Sequence, residues 1–338
     1  MSDQIYFEVQ VGMAFMVMAS AASALAVGGV LLYIGYSAVA IRQNASRRWS
    51  TATHIHYYFL NLMISDFILA MAGLLDIKWI VEARVYPSPV CTVQGFFMQV
   101  GDVGVALSIM AIALHILQVL VLKRKSPPKF ALLILAIIWL VILILVVVPN
   151  VAQRNVYGPT GHWCWINRSI MEQIGLDYMW MWMAAVLNII SYVFLVLVIK
   201  RFLVPVDGRF RWSRKQEERI IPYGTETSAE SLRAVQMIFY PLVYIILLLP
   251  ISLARFYQFS GHDVPVAVTS LAATLFGSSG LINTILYAFT RPKLMPGGLS
   301  HGPWSVSVTT ARMAHDRFSK GYMAEDSSFV TECPVQVP

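Results

Sequence analysis

The sequence predicts an all-α membrane protein, a bundle of seven transmembrane helices with its N-terminus outside and its C-terminus in the cytoplasm. Three observations support this fold class. The 338 residues are 57% hydrophobic and only 13% charged, whereas soluble globular proteins carry about 25% charged residues. Seven apolar runs are long enough to cross a bilayer, and basic residues are unequally distributed between the segments that connect them. A disordered chain is excluded, because disorder needs few apolar residues and many charges.

Each apolar run has the roughly 20 residues that a helix needs to cross the hydrocarbon core. The first run has no basic residue before it and no separate cleavage pattern, so we expect a retained helix and not a signal peptide. All seven are too long and too uniformly apolar for the alternating strands of a membrane barrel. The predicted spans cover about 14–41, 55–79, 90–122, 130–149, 178–203, 234–258 and 264–290. They divide the chain into an extracellular N-terminus (1–10), a transmembrane domain (11–291) and a cytoplasmic tail (292–338).

The orientation follows from the basic residues, since Lys and Arg are retained mainly on the cytoplasmic side. Of the 25 Lys and Arg, 20 lie in the segments after spans one, three, five and seven. The other 5 lie in or beside the segments after spans two, four and six. We therefore expect a multi-pass protein of the plasma membrane. The net charge of +7 is interpreted as contact with membrane lipid and not with nucleic acid, because it is spread between apolar runs instead of forming one patch.

Two of the three cysteines are expected on the outer side. Cys91 opens span three and Cys164 lies in the long loop after span four, whereas Cys333 lies in the tail. The first two share an oxidising compartment, which favours a disulfide over two free thiols. The same outer loop contains the sequence Asn167-Arg168-Ser169, so Asn167 is a candidate glycosylation site.

Polar residues inside the spans are the strongest functional signal, because an intramembrane charge is costly. Asp66 lies near the middle of span two, and Asn61 is on a similar face. Asn283 and Tyr287 share one face of span seven. The sequence predicts a polar switch formed by these four residues, in which Asp66 contacts Asn283. The alternative is an Asp66 that is satisfied locally by Ser65 or a backbone carbonyl.

Span three carries a second pattern. Gln94, Gly101, Ser108 and His115 recur every seven residues, which suits close packing within a bundle. Gln99 and Asp102 lie in its outer half. The ligand-binding candidates are Gln99, Asp102, Trp163, Trp165 and Arg255. Alternatively, Asp102 is a structural partner for a neighbouring polar group, and the tryptophans form an interfacial belt.

Four segments, in order along the chain, carry a family pattern. They are Cys91–Leu107 of span three, Y-G-P-T-G-H-W-C-W-I of the outer loop, Y-P-L-V-Y-I-I-L-L-L-P-I-S-L-A-R of span six and N-T-I-L-Y-A-F-T-R-P of span seven. They resemble fungal G-protein-coupled receptors of the cAMP-receptor-like and glucose-receptor-like group, over nearly all of residues 10–295. The resemblance implies a receptor for a nutrient or small metabolite that activates a heterotrimeric G protein upstream of cAMP signalling.

The chain also departs from the rhodopsin-like receptor pattern. Span three ends in V-L-V-L-K-R-K without D-R-Y, and span seven has N-x-x-x-Y in place of N-P-x-x-Y. We therefore do not expect the switches of that larger class to transfer directly. The candidate G-protein-facing residues are Lys123, Arg124, Lys125, Arg214, Lys215 and Arg219. Alternatively, these residues only set the orientation and meet anionic lipid.

Other membrane classes fit less well. A transporter is the alternative function, but the sequence shows none of the internal repeats that are common in such folds. A retinal protein would need a lysine at mid-depth, and a metal hydrolase would need His and acidic ligands at one level, whereas only His115 of the seven His lies more than two residues inside a span. We therefore predict no enzymatic activity, no cofactor and no metal site. The ligand is not readable, although dispersed arginines do not favour an anionic nucleotide such as cAMP.

Overall fold

The computed structural model describes residues 2–43, 53–120, 128–153, 155–199, 203–206, 209–212 and 239–290. Within these ranges, seven helical stretches are long and apolar enough to cross a membrane. Spans one to seven are Phe7–Tyr36, Tyr57–Glu82, Pro89–Gln118, Lys129–Ala152, Ile170–Val198, Phe239–Phe259 and Val266–Phe289. The predicted seven-helix fold class is therefore confirmed.

The helices that form these spans are longer or more divided than the spans themselves. Span two contains two helices, span five contains two helices joined by a π-helical turn, and span seven contains two helices. In chain order the helices are α1 (Ser2–Gln43), α2 (Thr53–Leu74), α3 (Asp76–Glu82), α4 (Pro89–Leu120), α5 (Pro128–Ala152), α6 (Ile170–Gln173), α7 (Met179–Ile199), α8 (Phe239–Phe259), α9 (Val266–Gly277) and α10 (Ser279–Thr290). The π-helical turn covers Ile174–Tyr178.

The start of span five differs from the sequence prediction. A capping box formed by Ser169 and Glu172 begins α6, eight residues before the predicted start at about 178. The intervening residues include Gln173 and Asp177, so counting apolar residues places them in the loop. The α1 helix likewise begins at Ser2, within the segment that the sequence assigns to a separate N-terminus.

Span three is the centre of the bundle: 83% of its most apolar 18-residue stretch is buried, against 22% of the corresponding stretch of span four. Its small-residue stripe packs against span two. A Cβ atom placed on Gly101 would lie 2.8 Å from the Leu69 Cα atom, and one on Gly104 would lie 2.5 Å from the Ser65 hydroxyl oxygen. Glycine at these positions therefore lets the two helices approach each other closely.

Span seven is interrupted by a side chain from span one. The Ser23 hydroxyl donates to the Gly277 carbonyl at 2.7 Å and accepts from the Leu281 N–H at 3.2 Å. In an unbroken helix these two backbone groups would bond to each other, because they are four residues apart. An inserted side chain is one of the few causes of a helix kink, and α9 ends where this one enters.

Two antiparallel hairpins complete the described structure. The strand β1 (Tyr157–Pro159) pairs with β2 (Cys164–Ile166) in the loop between spans four and five. The strand β3 (Leu203–Val206) pairs with β4 (Arg209–Trp212) after span five. The first hairpin packs on span three, where the Tyr157 side chain takes up the space that a Cβ on Gly95 would need.

The surface of the spans is apolar. In span four, large apolar side chains project outward with exposed fractions of 55% for Leu133, 55% for Leu140 and 58% for Leu143. Such a surface would be unfavourable in water and suits the hydrocarbon of a bilayer. The chain is thus a multi-pass membrane protein.

Candidate functional site

The first hairpin is fixed to span three by a disulfide. Cys91 and Cys164 are bonded, with their Cα atoms 5.1 Å apart across 73 residues of sequence. The predicted disulfide is therefore confirmed. We refer to the end of the bundle that carries this bond as the disulfide end, and to the other as the opposite end.

Gln94 holds the same region together by hydrogen bonds. Its side-chain oxygen accepts from the Trp79 indole at 2.7 Å and from the Cys164 backbone N–H at 3.1 Å. Its amide group donates to the Asp76 carboxyl at 2.6 Å and to the Ala72 carbonyl at 3.3 Å. Gln94 is fully buried, so it connects span two, span three and the hairpin in the interior of the bundle. From the sequence it was interpreted only as part of the packing stripe.

Gln99 makes a second set of connections one turn further into the bundle. Its amide group donates to the carbonyl oxygens of Leu145 in span four and Leu176 in span five, at 3.2 and 3.3 Å. Its oxygen accepts from the Tyr157 hydroxyl at 2.6 Å. Both the amide group and the oxygen of Gln99 therefore have partners in the protein. We interpret the residue as a support that joins spans three, four and five to the hairpin beside the site.

Asp102 meets a carboxyl group that the sequence analysis missed. The side chains of Asp102 and Asp177 lie within hydrogen-bonding reach of each other, and both are buried, with exposed fractions of 6% and 1%. The other oxygen of Asp177 accepts from the Trp165 indole at 3.0 Å. The signal for Asp177 was present, since it directly precedes Tyr178 and a strongly apolar run.

Arg255 of span six closes the same cluster. Its guanidinium lies 4.9 Å from the Trp163 ring and 5.7 Å from the Trp165 ring, distances at which a cation is attracted by the ring face. It hydrogen-bonds the Tyr178 hydroxyl and donates to Gln258 at 3.0 Å. Spans three, five and six and the hairpin together contribute six side chains, which we call the disulfide-end cluster. They are Asp102, Asp177, Arg255, Tyr178, Trp163 and Trp165.

Two titratable groups of the hairpin lie close to this cluster and outside the spans. Burial, together with the nearby Arg255 charge, lowers the pKa of His162. Burial raises the pKa of Tyr157, and the nearby Asp177 raises it further. Both shifts favour the neutral form of the side chain, so the hairpin presents polar but uncharged groups to the cluster.

A second polar group lies between spans two and seven. Asp66 accepts from the Asn283 amide at 2.8 Å and from the Ser279 hydroxyl at 2.9 Å, and the three residues are buried. The structure thus brings Asp66 and Asn283 together, and it adds Ser279, which the sequence analysis did not include. Gly280 makes the contact possible, since a Cβ there would lie 2.9 Å from Val27 and 3.3 Å from the Asp66 Cβ.

Asn61 and Tyr287 make contacts of their own. Asn61 donates to the Ser108 hydroxyl at 2.7 Å and accepts from the Trp139 indole at 2.9 Å, so it links spans two, three and four. The Tyr287 ring stacks on Phe59 with a centroid distance of 4.2 Å. Ser65 donates to the Asn61 carbonyl and not to Asp66. The four predicted switch residues therefore occupy neighbouring sites along the bundle.

The remaining candidates lie at the ends of the spans. Asn167 is exposed next to the first hairpin. The candidate G-protein-facing residues, Lys123, Arg124, Lys125, Arg214, Lys215 and Arg219, lie outside the described residues.

The comparisons with known proteins cover most of the chain. The model of the 7 transmembrane receptor (rhodopsin family) matches residues 38–287. The crystal structure of squid rhodopsin superposes with a TM-score of 0.61 at 14% sequence identity, covering 98% of this chain and 93% of that one; at this identity the likeness concerns the fold alone. Comparison with curated proteins gives no match.

This family is a receptor class and not an enzyme class. The match includes the regions in which the chain departs from the D-R-Y and N-P-x-x-Y patterns. Those departures are therefore variations within the family. The family model spans most of the chain, and the protein belongs to the rhodopsin family of seven-transmembrane receptors.

Proposed function

We propose that the protein is a G-protein-coupled receptor of the plasma membrane that detects a small extracellular ligand at the disulfide end and activates a heterotrimeric G protein at the opposite end. The disulfide-end cluster is the observation that supports this assignment. It places two carboxyls and a guanidinium in a buried space between spans three, five and six, under a hairpin that a disulfide holds in place.

Stability alone is a poor explanation for such a cluster. Buried charged groups cost free energy, and apolar side chains of similar volume are often at least as stabilising. Intramembrane ionisable residues therefore usually serve a function. The aromatic faces of Trp163, Trp165 and Tyr178 provide the apolar contacts, and the charged groups provide the orientation, that small-molecule sites combine.

Span three offers a route from this site to the opposite end. It carries Cys91, Asp102, Ser108 and His115 in succession, and Ser108 contacts Asn61 of span two. Asp66 then joins span two to span seven. A ligand changes the opposite end only if it binds two arrangements of these spans with different affinity. We expect the polar contacts between spans to differ between two such arrangements.

The finer assignments rest on the resemblance to fungal receptors of the cAMP-receptor-like and glucose-receptor-like group. We propose a nutrient or small metabolite as the ligand and adenylate cyclase control as the output. The basic segments after spans three and five would then form the surface for the G protein. The excess of Lys and Arg in these segments supports a cytoplasmic location for the opposite end.

The test is nucleotide exchange on a heterotrimeric G protein by the receptor in lipid nanodiscs, measured against a panel of sugars, amino acids and organic acids. We expect at least one compound to accelerate exchange, and Arg255→Gln to weaken its effect at unchanged receptor level. Asp263→Asn is the matched control, because Asp263 is exposed at the same end. Exchange that no condition or compound alters would contradict the proposed function.

A further inference from the structure

The contact between Asp102 and Asp177 has a chemical requirement. Two carboxylates are acceptors only, so a hydrogen bond between them forms only when one of them carries a proton. No N–H or O–H donor of the described residues reaches Oδ1 of Asp102 or Oδ1 of Asp177. These two buried oxygens are therefore the atoms available to a shared proton.

The charges of the cluster lead to the same conclusion. Two ionised carboxylates and the Arg255 guanidinium would leave a net charge of −1 in a buried site, whereas one added proton makes the cluster neutral. A net charge inside a membrane bundle is costly, and two adjacent carboxyls resist ionising together. Arg255 is directed to the faces of Trp163 and Trp165 and to Tyr178, so its charge is only partly directed to the pair.

We propose that Asp102 and Asp177 form a binding site for one proton, exchanged with the solution at the disulfide end, and that its occupancy sets the arrangement of spans three and five. The titratable and charged groups around the pair are Arg255 and Tyr244 of span six, Tyr178 of span five, and Tyr157 and His162 of the hairpin. Two statements rest on the proposed function: that the protein signals, and that this end faces the exterior. The existence of the proton site does not depend on it.

The local backbone suits a change between two arrangements. Asp177 lies in the π-helical turn Ile174–Tyr178, and single π-helical turns are frequent at functional sites. When the proton leaves for the solution, two adjacent carboxylates remain and repel each other. Span three is fixed at the centre of the bundle, so we expect the π-helical turn of span five to move.

The direct test is infrared spectroscopy of the purified receptor in nanodiscs, which detects the C=O stretch of a protonated carboxyl. We expect a wild-type band at neutral pH that disappears at alkaline pH. Asp177→Asn and Asp102→Asn should each remove it, because the remaining carboxylate then accepts from an amide. Asp263→Asn is the control and should leave it unchanged. Identical carboxyl bands in wild type and both variants would overturn the proton site.

Thermal unfolding gives a second measurement that does not depend on a G protein. The folded protein holds a proton that the unfolded chain releases at neutral pH, so stability should fall as pH rises. Asp177→Asn replaces the proton by a permanent amide donor and should make this fall smaller, whereas His162→Gln should leave its size unchanged. Asp66 and Asp76 are buried carboxyls that can supply the remainder. A fall of the same size in Asp177→Asn as in the wild type would assign the pH dependence to other groups and overturn the proposal.

Nucleotide exchange then separates the proton site from the proposed function. If both hold, exchange in the presence of G protein should change with pH in wild type and in His162→Gln but not in Asp177→Asn. If the infrared band and the unfolding profile behave as expected while exchange never occurs, the proton site stands and the assignment as a G-protein-coupled receptor fails.

Discussion

Gln99 of span three donates a hydrogen bond to the carbonyl oxygen of Leu145 at 3.2 Å, and this is the carbonyl that Pro149 leaves without its helical donor. Pro149 lies inside α5 and has no N–H, so the residue four positions earlier loses its bond within the helix. A side chain of one span thus satisfies a backbone defect of another. This pairing explains why a proline is tolerated in the most apolar span of the bundle.

The first prediction concerns this pairing. Gln99→Leu leaves buried partners unsatisfied, which costs about 1–3 kcal/mol for each group, so the unfolding temperature should fall. Pro149→Ala restores an N–H for the Leu145 carbonyl. We therefore expect Gln99→Leu to cost less in the Pro149→Ala background, measured as a double-mutant cycle of thermal stability. Equal costs in the two backgrounds would show that the Leu145 carbonyl does not depend on Gln99.

The second prediction concerns the disulfide. A bond that closes a loop of 73 residues restrains the unfolded chain by about 4 kcal/mol in the entropic model. Cys91→Ser, Cys164→Ser and the double variant should lower surface expression to the same degree, because each removes one shared bond. Cys333→Ser is the control and should express normally. A double variant clearly worse than either single variant would speak against one bridge.

The third prediction concerns Asp66 and Asn283. Removing either partner leaves a buried polar group unsatisfied, at a cost of about 1–3 kcal/mol. Asp66→Asn and Asn283→Ala should each lower thermal stability and change signalling, and their combined effect should be smaller than the sum. Ser279→Ala should couple to Asp66→Asn in the same way. Strictly additive effects would mean that the residues act independently.

The fourth prediction concerns the contact of spans two and three. In Gly101→Ala the new Cβ meets the backbone of Leu69 at 2.8 Å, and backbone cannot move aside as a side chain can. We expect a large loss of folded receptor in detergent. Gly29→Ala is the matched control, since nothing lies within 4 Å of a Cβ there. A Gly101→Ala receptor as stable as Gly29→Ala would contradict this close contact.

The fifth prediction concerns the basic segments. Neutralising Arg214, Lys215 and Arg219 together should reduce nucleotide exchange on the G protein at unchanged surface level. The competing role is contact with anionic lipid, to which each basic residue contributes about 1 kcal/mol. Vesicles with and without anionic lipid separate the two: a defect that persists in neutral vesicles belongs to the G protein. Normal exchange at normal expression would leave only the lipid role.

The parts of the fold that depend on apolar length could be predicted from the sequence. Seven runs gave seven spans, and the expected redox compartment of Cys91 and Cys164 gave the disulfide. The positions of Asp66 and Asn283 along two oppositely directed spans placed them at a similar depth. In each case the deciding property, whether run length, compartment or depth, can be read from the chain without knowing how its helices are rotated about their axes.

The rest depended on geometry that the sequence does not encode locally. Asp177 was assigned to a loop because polar residues interrupt the start of span five, although the capping box at Ser169 begins a helix there. Ser279 reaches Asp66 because span seven is kinked just before it. Asn61 turns towards Trp139 and Ser108 because of the rotation of span two about its axis. Such pairings are set by tertiary packing, which periodicity alone cannot supply.

The Ser23 hydroxyl occupies the place of one backbone hydrogen bond in span seven. If α9 and α10 straighten into one continuous helix, the Leu281 N–H can donate to the Gly277 carbonyl. The Ser23 hydroxyl then loses both of its hydrogen-bond partners. Straightening of the last span would therefore also break this polar contact with the first span. The hydroxyl oxygen of Ser23 thus links the conformation of the last span to the first, although 254 residues separate Ser23 from Gly277 along the chain.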